Sequence, residues 1–190
     1  MSVAMASPKA ANAWAVLMIA ALGLLTAGLI YLQNHAPTTI VVLTGAEVLA
    51  NGRPNPGLSA AGLARAQELV RVMGEAPAVN RVAAVFATRY RRSQETAEPI
   101  ARHFDLPVHI VDATDHKGLL ERIDSDYRGQ LLIVVTDRDA LPGLLDALLP
   151  RSVPVAEPVY DRLYIVTRPR LGGGGALAMR YGTPAGQAGS

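Results

Sequence analysis

Two carboxylates one residue apart, in Thr136-Asp137-Arg138-Asp139, are the first candidates for chemistry in this sequence. Carboxylates at the end of a strand can hold a divalent cation such as Mg²⁺. The commoner role of such a run is a helix cap with an ion pair. A second cluster, Arg89, Arg91 and Arg92, gathers positive charge within TRYRRSQETAEPIA. It reads either as an anion site or as a partly solvated turn with one structural ion pair. His103, His109 and His116 fall at a helix end and in the connection before a strand, where surface roles suffice for them. His109 and His116 lie seven apart across a turn and make a poor metal pair. No metal and no cofactor is expected. The chain has no cysteine, which removes a thiol nucleophile, a thiolate metal site and a disulfide framework. Net charge is +2, acidic and basic residues are interspersed, and aromatics make up 5%. Nothing in that distribution resembles a nucleic-acid footprint, so no nucleic-acid partner is expected. Lys9 and Lys117 are the only lysines, an arginine bias typical of a GC-rich bacterial genome.

These residues need elements to position them. Thr39–Leu43, Val82–Phe86 and Leu131–Val135 are continuous apolar runs rich in β-branched residues, the pattern of strands buried on both faces. Val108–Val111 is a shorter strand, and Val159–Thr167 and Ala176–Tyr181 form a closing pair across Gly172–Gly175. Asn51–Gly57 is a turn-rich loop. Ser59 caps a helix with apolar residues at Leu63, Ala66, Leu69, Val70 and Met73. Ser93–Phe104, Leu119–Tyr127 and Leu141–Leu149 are further helices; Pro142 suits a first turn, and Pro99 requires a position near the start or a kink. Alternating strands and helices predict a three-layer α/β sandwich with a mainly parallel sheet and helices on both faces. Such sheets bind ligands at the carboxyl ends of their strands. That directs attention to Thr44–Glu47, Ala87–Arg92 and Thr136–Ala140.

Ahead of the domain, Ala13–Leu32 carries no charge, and as a helix it would span about 30 Å, a bilayer's hydrocarbon thickness. Trp14 and Tyr31 stand near its ends, as interfacial aromatics do. It reads as a transmembrane anchor; a cleaved secretory signal or a buried core helix are the alternatives. Lys9 and the terminal amine on the near flank place the N-terminus in the cytoplasm, and the domain on the extracytoplasmic, periplasmic side. The expected organisation is a tail (1–12), an anchor (13–32), a linker (33–38), the domain (39–182) and a disordered tail (183–190).

From Thr39 to Gly182 the sequence resembles the histidine phosphatase (phosphoglycerate mutase-like) superfamily. That family opens with a strand ending in Arg-His-Gly/Ala-Glu, where this chain has Thr44-Gly45-Ala46-Glu47. Its Leu-Ser/Thr-x-x-Gly-x-x-x-Ala helix is matched by Leu58, Ser59, Gly62 and Ala66. Its Ser-x-x-x-Arg-x-x-x-Thr-Ala block is matched by Thr88, Arg92, Thr96 and Ala97. Where the family has Gly-His-Ser/Gly after a later strand, this chain has Thr136-Asp137-Arg138.

The resemblance implies that four positions would carry phosphoryl transfer: Thr44, Gly45, Arg92 and Asp137. In the family they hold an arginine, a nucleophilic histidine, a second arginine and a second histidine. Only Arg92 matches. Glycine cannot attack phosphorus, and loss of a covalent nucleophile costs on the order of a million-fold in turnover. The implied protein is a membrane-anchored pseudo-phosphatase of a bacterial envelope, without catalytic residues. Its residual pocket would comprise Arg92, Arg91, Thr88, Glu47 and Asp137, and it would bind a protein or a phosphorylated ligand. A phosphomonoester hydrolase with a rearranged, metal-assisted site is the alternative, and a structural subunit of an envelope assembly is a third. The sharpest expectation is that Arg92 and Asp137 form an ion pair at the old phosphate position.

Overall fold

The computed structural model describes residues 8–75, 82–150, 160–169 and 173–181; the expected C-terminal tail lies outside them. The chain divides into two compact units, Met1–Ala36 and Pro37–Ser190.

The first unit holds one helix, α1 (Pro8–His35), so helix covers half of the expected linker and begins before the expected span. Its described side chains from Trp14 to Ala27 are exposed. Among the described residues no helix is long and apolar enough to cross a membrane. The structure therefore corrects the expected transmembrane anchor, and with it the single-pass location and the extracytoplasmic placement of the domain.

The second unit runs β1 (Thr38–Thr44), α2 (Ala60–Glu75), β2 (Val82–Thr88), α3 (Arg91–His103), β3 (Val108–Val111), α4 (His116–Asp126), β4 (Leu131–Thr136), α5 (Leu141–Leu148), β5 (Arg162–Arg168) and β6 (Gly175–Arg180). The six strands form one sheet in the order β3-β2-β4-β1-β5-β6. The first four are parallel, and β5 and β6 run antiparallel, making the sheet mixed. Two apolar cores explain why the central strands read as unbroken hydrophobic runs. On one face Ile40, Val42, Phe86, Leu132 and Val134 pack with Leu144 and Leu145 of α5 and Ile123 of α4. On the other, Val41, Leu43, Val85, Ile133 and Val135 pack with Leu69 and Met73 of α2 and Ile100 of α3. Full burial of such a side chain contributes about 1.5–3 kcal/mol. Helices thus cover both faces, and the carboxyl ends of β1, β2 and β4 open at one edge.

Local signals fix the helix starts. The Ser59 hydroxyl accepts the Gly62 N–H at 3.1 Å, and the Asp115 carboxylate accepts the Gly118 N–H at 2.9 Å. The second cap starts α4 three residues ahead of its apolar pattern.

His109 on the edge strand β3 is half-buried. Its ring centroid lies 5.3 Å from that of Phe86, with Arg122 Nη2 3.3 Å from Nδ1 and Tyr127 Oη 3.4 Å from Nε2. Burial first, and the Arg122 charge second, hold its pKa below the ordinary histidine value. The unfolded chain therefore takes up the proton at higher pH than the folded one. The contribution of His109 is complete above about pH 6.5 and is lost as pH falls through the lower folded value. Urea denaturation from pH 7.5 to 5 should show this loss, and His109→Gln should flatten it. An unchanged pH slope in the variant would assign the effect elsewhere.

Candidate functional site

The end of β1 is held down from two sides. Gly45 N–H donates to the Thr136 carbonyl at 3.1 Å, tying β1 to β4. Ala46 N–H donates to Thr96 Oγ1 at 2.9 Å, and that hydroxyl donates to the Arg92 carbonyl at 2.7 Å. The second pair of bonds seats the first turns of α3 on the strand end. Gly45 permits that seating. A Cβ there would lie 3.1 Å from Arg92 Cγ, and 3.2 Å from both the Arg92 carbonyl carbon and Ser93 N. Two of these three atoms are backbone, so a larger residue at 45 requires the start of α3 to give by a few tenths of an ångström. The nucleophile position lacks a side chain and lies tight against the neighbouring helix.

Asp137 follows β4 and faces the same helix start. Its Oδ1 accepts from Arg92 Nε at 3.1 Å and Nη2 at 3.0 Å, with Ser93 Oγ at 3.5 Å. The Asp137 side chain is 5% exposed and that of Arg92 32%. The expected ion pair is formed. Both nitrogens converge on one oxygen. Among the described residues, the buried Asp137 Oδ2 has no hydrogen-bond partner. The Tyr90 ring lies over the pair, its centroid 5.3 Å from the Arg92 guanidinium carbon.

The other two arginines of the segment are also closed on acids. Arg89 pairs with Asp112 after β3. Arg91 pairs with Glu95 one turn along α3, and Glu95 Oε2 also accepts the Leu58 N–H at 2.6 Å. Burial works against the charged form of Glu95, but Leu58 and Arg91 outweigh it and hold the carboxyl below its usual range. Arg91 thus serves to latch the loop ending at Leu58 onto α3, where Asn55 Oδ1 also accepts the Arg91 N–H at 2.9 Å. Three arginines hold three carboxylates, and the basic cluster is neutralised residue by residue.

Of the remaining expected pocket residues, Thr44 and Thr88 are buried at strand ends; Thr44 is level with Thr136, and Thr88 Oγ1 has no partner. Glu47 turns to Arg65 of α2, with Nε at 2.8 and 2.9 Å and Nη2 at 2.6 Å. The structure thus brings Gly45, Arg92 and Asp137 together and gives Arg91 and Glu47 other partners. Arg138 and Asp139 are exposed, with Arg138 stacked 4.9 Å over Tyr160. Among the described residues no group of three or more His, Asp or Glu side chains could hold a metal ion.

Sequence reasoning missed the network around Arg65. Its hydrogen bond to Glu47 raises the Arg65 pKa against the cost of burial, and Tyr181 and Asp161 add to the raise. Burial pushes the Tyr181 hydroxyl far above its ordinary value. The available signal was position: Arg65 falls three residues after Gly62, on the buried face of α2.

Comparison with known proteins agrees with this geometry. Residues 30–115 match the profile of the histidine phosphatase superfamily (branch 1). Among curated protein sequences none matches this chain. The structure of the protein histidine phosphatase SixA complexed with tungstate is similar, with a TM-score of 0.60, 13% identity, and coverage of 75% of this chain and 96% of that one. A mycobacterial glucosyl-3-phosphoglycerate phosphatase superposes with a TM-score of 0.54, 12% identity, and coverage of 69% and 90%. At those identities the structural likeness shows the fold alone. The sequence profile over residues 30–115, the fold and the motif positions 58–66 and 88–97 all make this chain similar to the histidine phosphatase superfamily.

Proposed function

We propose that this domain keeps the histidine phosphatase fold without its phosphoryl transfer and acts by binding a protein or an anionic ligand. The Arg92–Asp137 pair at the strand ends carries this reading. Phosphoryl transfer needs positive charge and donors aimed at the group in flight. Here a carboxylate faces the matching arginine, and the nucleophile position has no side chain.

One observation favours the rearranged hydrolase as a second reading: Asp137 Oδ2 has no partner and so has a lone pair to offer a cation. Against it, Arg92 holds the other oxygen and brings a positive charge to the place a cation would take.

Purified full-length protein should release no phosphate from p-nitrophenyl phosphate or a phosphohistidine peptide, with Mg²⁺ or with chelator. Gly45→His should not create activity, since Asp137 still holds Arg92 and puts a negative charge where the phosphoryl group would go. Turnover in wild type that Arg92→Ala abolishes would refute the non-catalytic reading, and turnover that needs Mg²⁺ would favour the hydrolase.

A further inference from the structure

We infer that Asp137 is a resident anion: its carboxylate occupies an oxyanion site at Arg92 and keeps that site closed to small tetrahedral oxyanions. The inference deepens the non-catalytic reading and rests on it.

The first observation is the edge of the guanidinium that is used. Nε and Nη2 of Arg92 both point at Asp137 Oδ1, at 3.1 and 3.0 Å. That two-nitrogen edge is the one that grips phosphate-class oxygens. The second is location. Oδ1 sits beside Ser93 in the opening turn of α3, a thirteen-residue helix whose N-cap residue Tyr90 makes no side-chain cap and whose first N–H, that of Arg91, is taken by Asn55 Oδ1. The positive end of a helix favours a nearby anion, and the Asp137 carboxylate stands beside it.

The third observation is that the carboxylate fits incompletely. Asp137 is 4% exposed, yet among the described residues its Oδ2 has no donor. A side chain shaped to this site would have satisfied that oxygen. A flat carboxylate on a fixed stem supplies the charge and leaves part of the hydrogen bonding unmade; a tetrahedral anion has oxygens pointing in four directions. Arg89 and Arg91 hold their own acids, so Arg92 is the guanidinium of the segment that changes state if Asp137 loses its charge.

Isothermal titration calorimetry of full-length protein with inorganic phosphate, and with tungstate, at constant ionic strength tests this. Wild type should show no Arg92-dependent binding up to tens of millimolar. Asp137→Asn should bind at least tenfold more tightly than wild type, the scale of one charge-assisted hydrogen bond. The double variant Asp137→Asn/Arg92→Ala should lose the gain. Asp137→Ser, also uncharged, is the second route if the Asn variant does not fold. Arg92-dependent phosphate binding by wild type would overturn the inference. So would an uncharged variant that binds no better than wild type, or binding that persists in the double variant. Neither anion is hydrolysed, so a failure here leaves the turnover assay above to be judged separately.

Discussion

Arg92→Ala should lower the unfolding free energy by about 2–3 kcal/mol, while exchanging Arg92 and Asp137 together for leucine should cost less. Removing one partner of a buried pair typically costs about 3–5 kcal/mol, because the other is left as an uncompensated charge. Here the arginine is 32% exposed, so water recovers part of that, and the expectation falls below the buried range. Asp137 is the more exposed to loss in energetic terms. With Arg92 gone, its Oδ1 retains only Ser93 at 3.5 Å, and its Oδ2 already has no donor. The double leucine variant leaves no orphaned charge and adds apolar area beside Gly45. Guanidinium denaturation at constant pH measures all three. A loss under 1 kcal/mol for Arg92→Ala would mean the pair behaves as a solvated surface bridge. Arg89→Ala should be indistinguishable from wild type, since its pair with Asp112 lies in water.

Gly62→Ala should destabilise the domain by about 3 kcal/mol or more, against the sign that helix propensity gives. Alanine in place of glycine inside a helix is ordinarily worth about 1 kcal/mol of stabilisation. A Cβ at 62, however, would stand 2.2 Å from the Glu47 carbonyl oxygen and 3.1 Å from its carbon. That carbonyl cannot step aside, since it accepts the Ser59 N–H at 2.8 Å. The start of α2 must then lift from the strand end, opening the small cluster of Ala46, Leu58 and Ala66 and straining the Glu47–Arg65 pair. Overpacking of side chains alone costs about 1–3 kcal/mol, and a collision with fixed backbone belongs at the upper end. A thermal shift upward in Gly62→Ala would show that propensity wins and that the helix can move.

The same residues show what a sequence discloses. The Leu-Ser-x-x-Gly-x-x-x-Ala spacing was visible at Leu58–Ala66, and its physical content is this close approach, which only coordinates reveal. The strands were legible because two cores make them apolar on both faces. Their ends were not: β1, β2 and β4 each continue through a buried threonine, Thr44, Thr88 and Thr136, where a hydroxyl resembles the start of a loop. Arg92 and Asp137 were legible through the family resemblance, which puts both positions in one pocket, and opposite charges then decide the contact. Arg65, Tyr181 and Asp161 were not. They come from α2 and from the end of the β5–β6 pair where β5 begins and β6 finishes, and no local pattern announces that they share a burial site. The apolar run at 13–32 was read from its hydropathy, its flanking aromatics and Lys9, and among the described residues no helix is long and apolar enough to carry the span inferred from it.

The pairing of Arg89, Arg91 and Arg92 with three separate carboxylates has a consequence at a distance. A lone cation projects a field that draws anions in from beyond contact, raising their local concentration and the rate at which they arrive. An opposed pair cancels most of that field within a few ångströms, and the remainder is screened by salt over about 8–10 Å. These three pairs therefore contribute little long-range steering. What they offer recognition is shape and short-range contact.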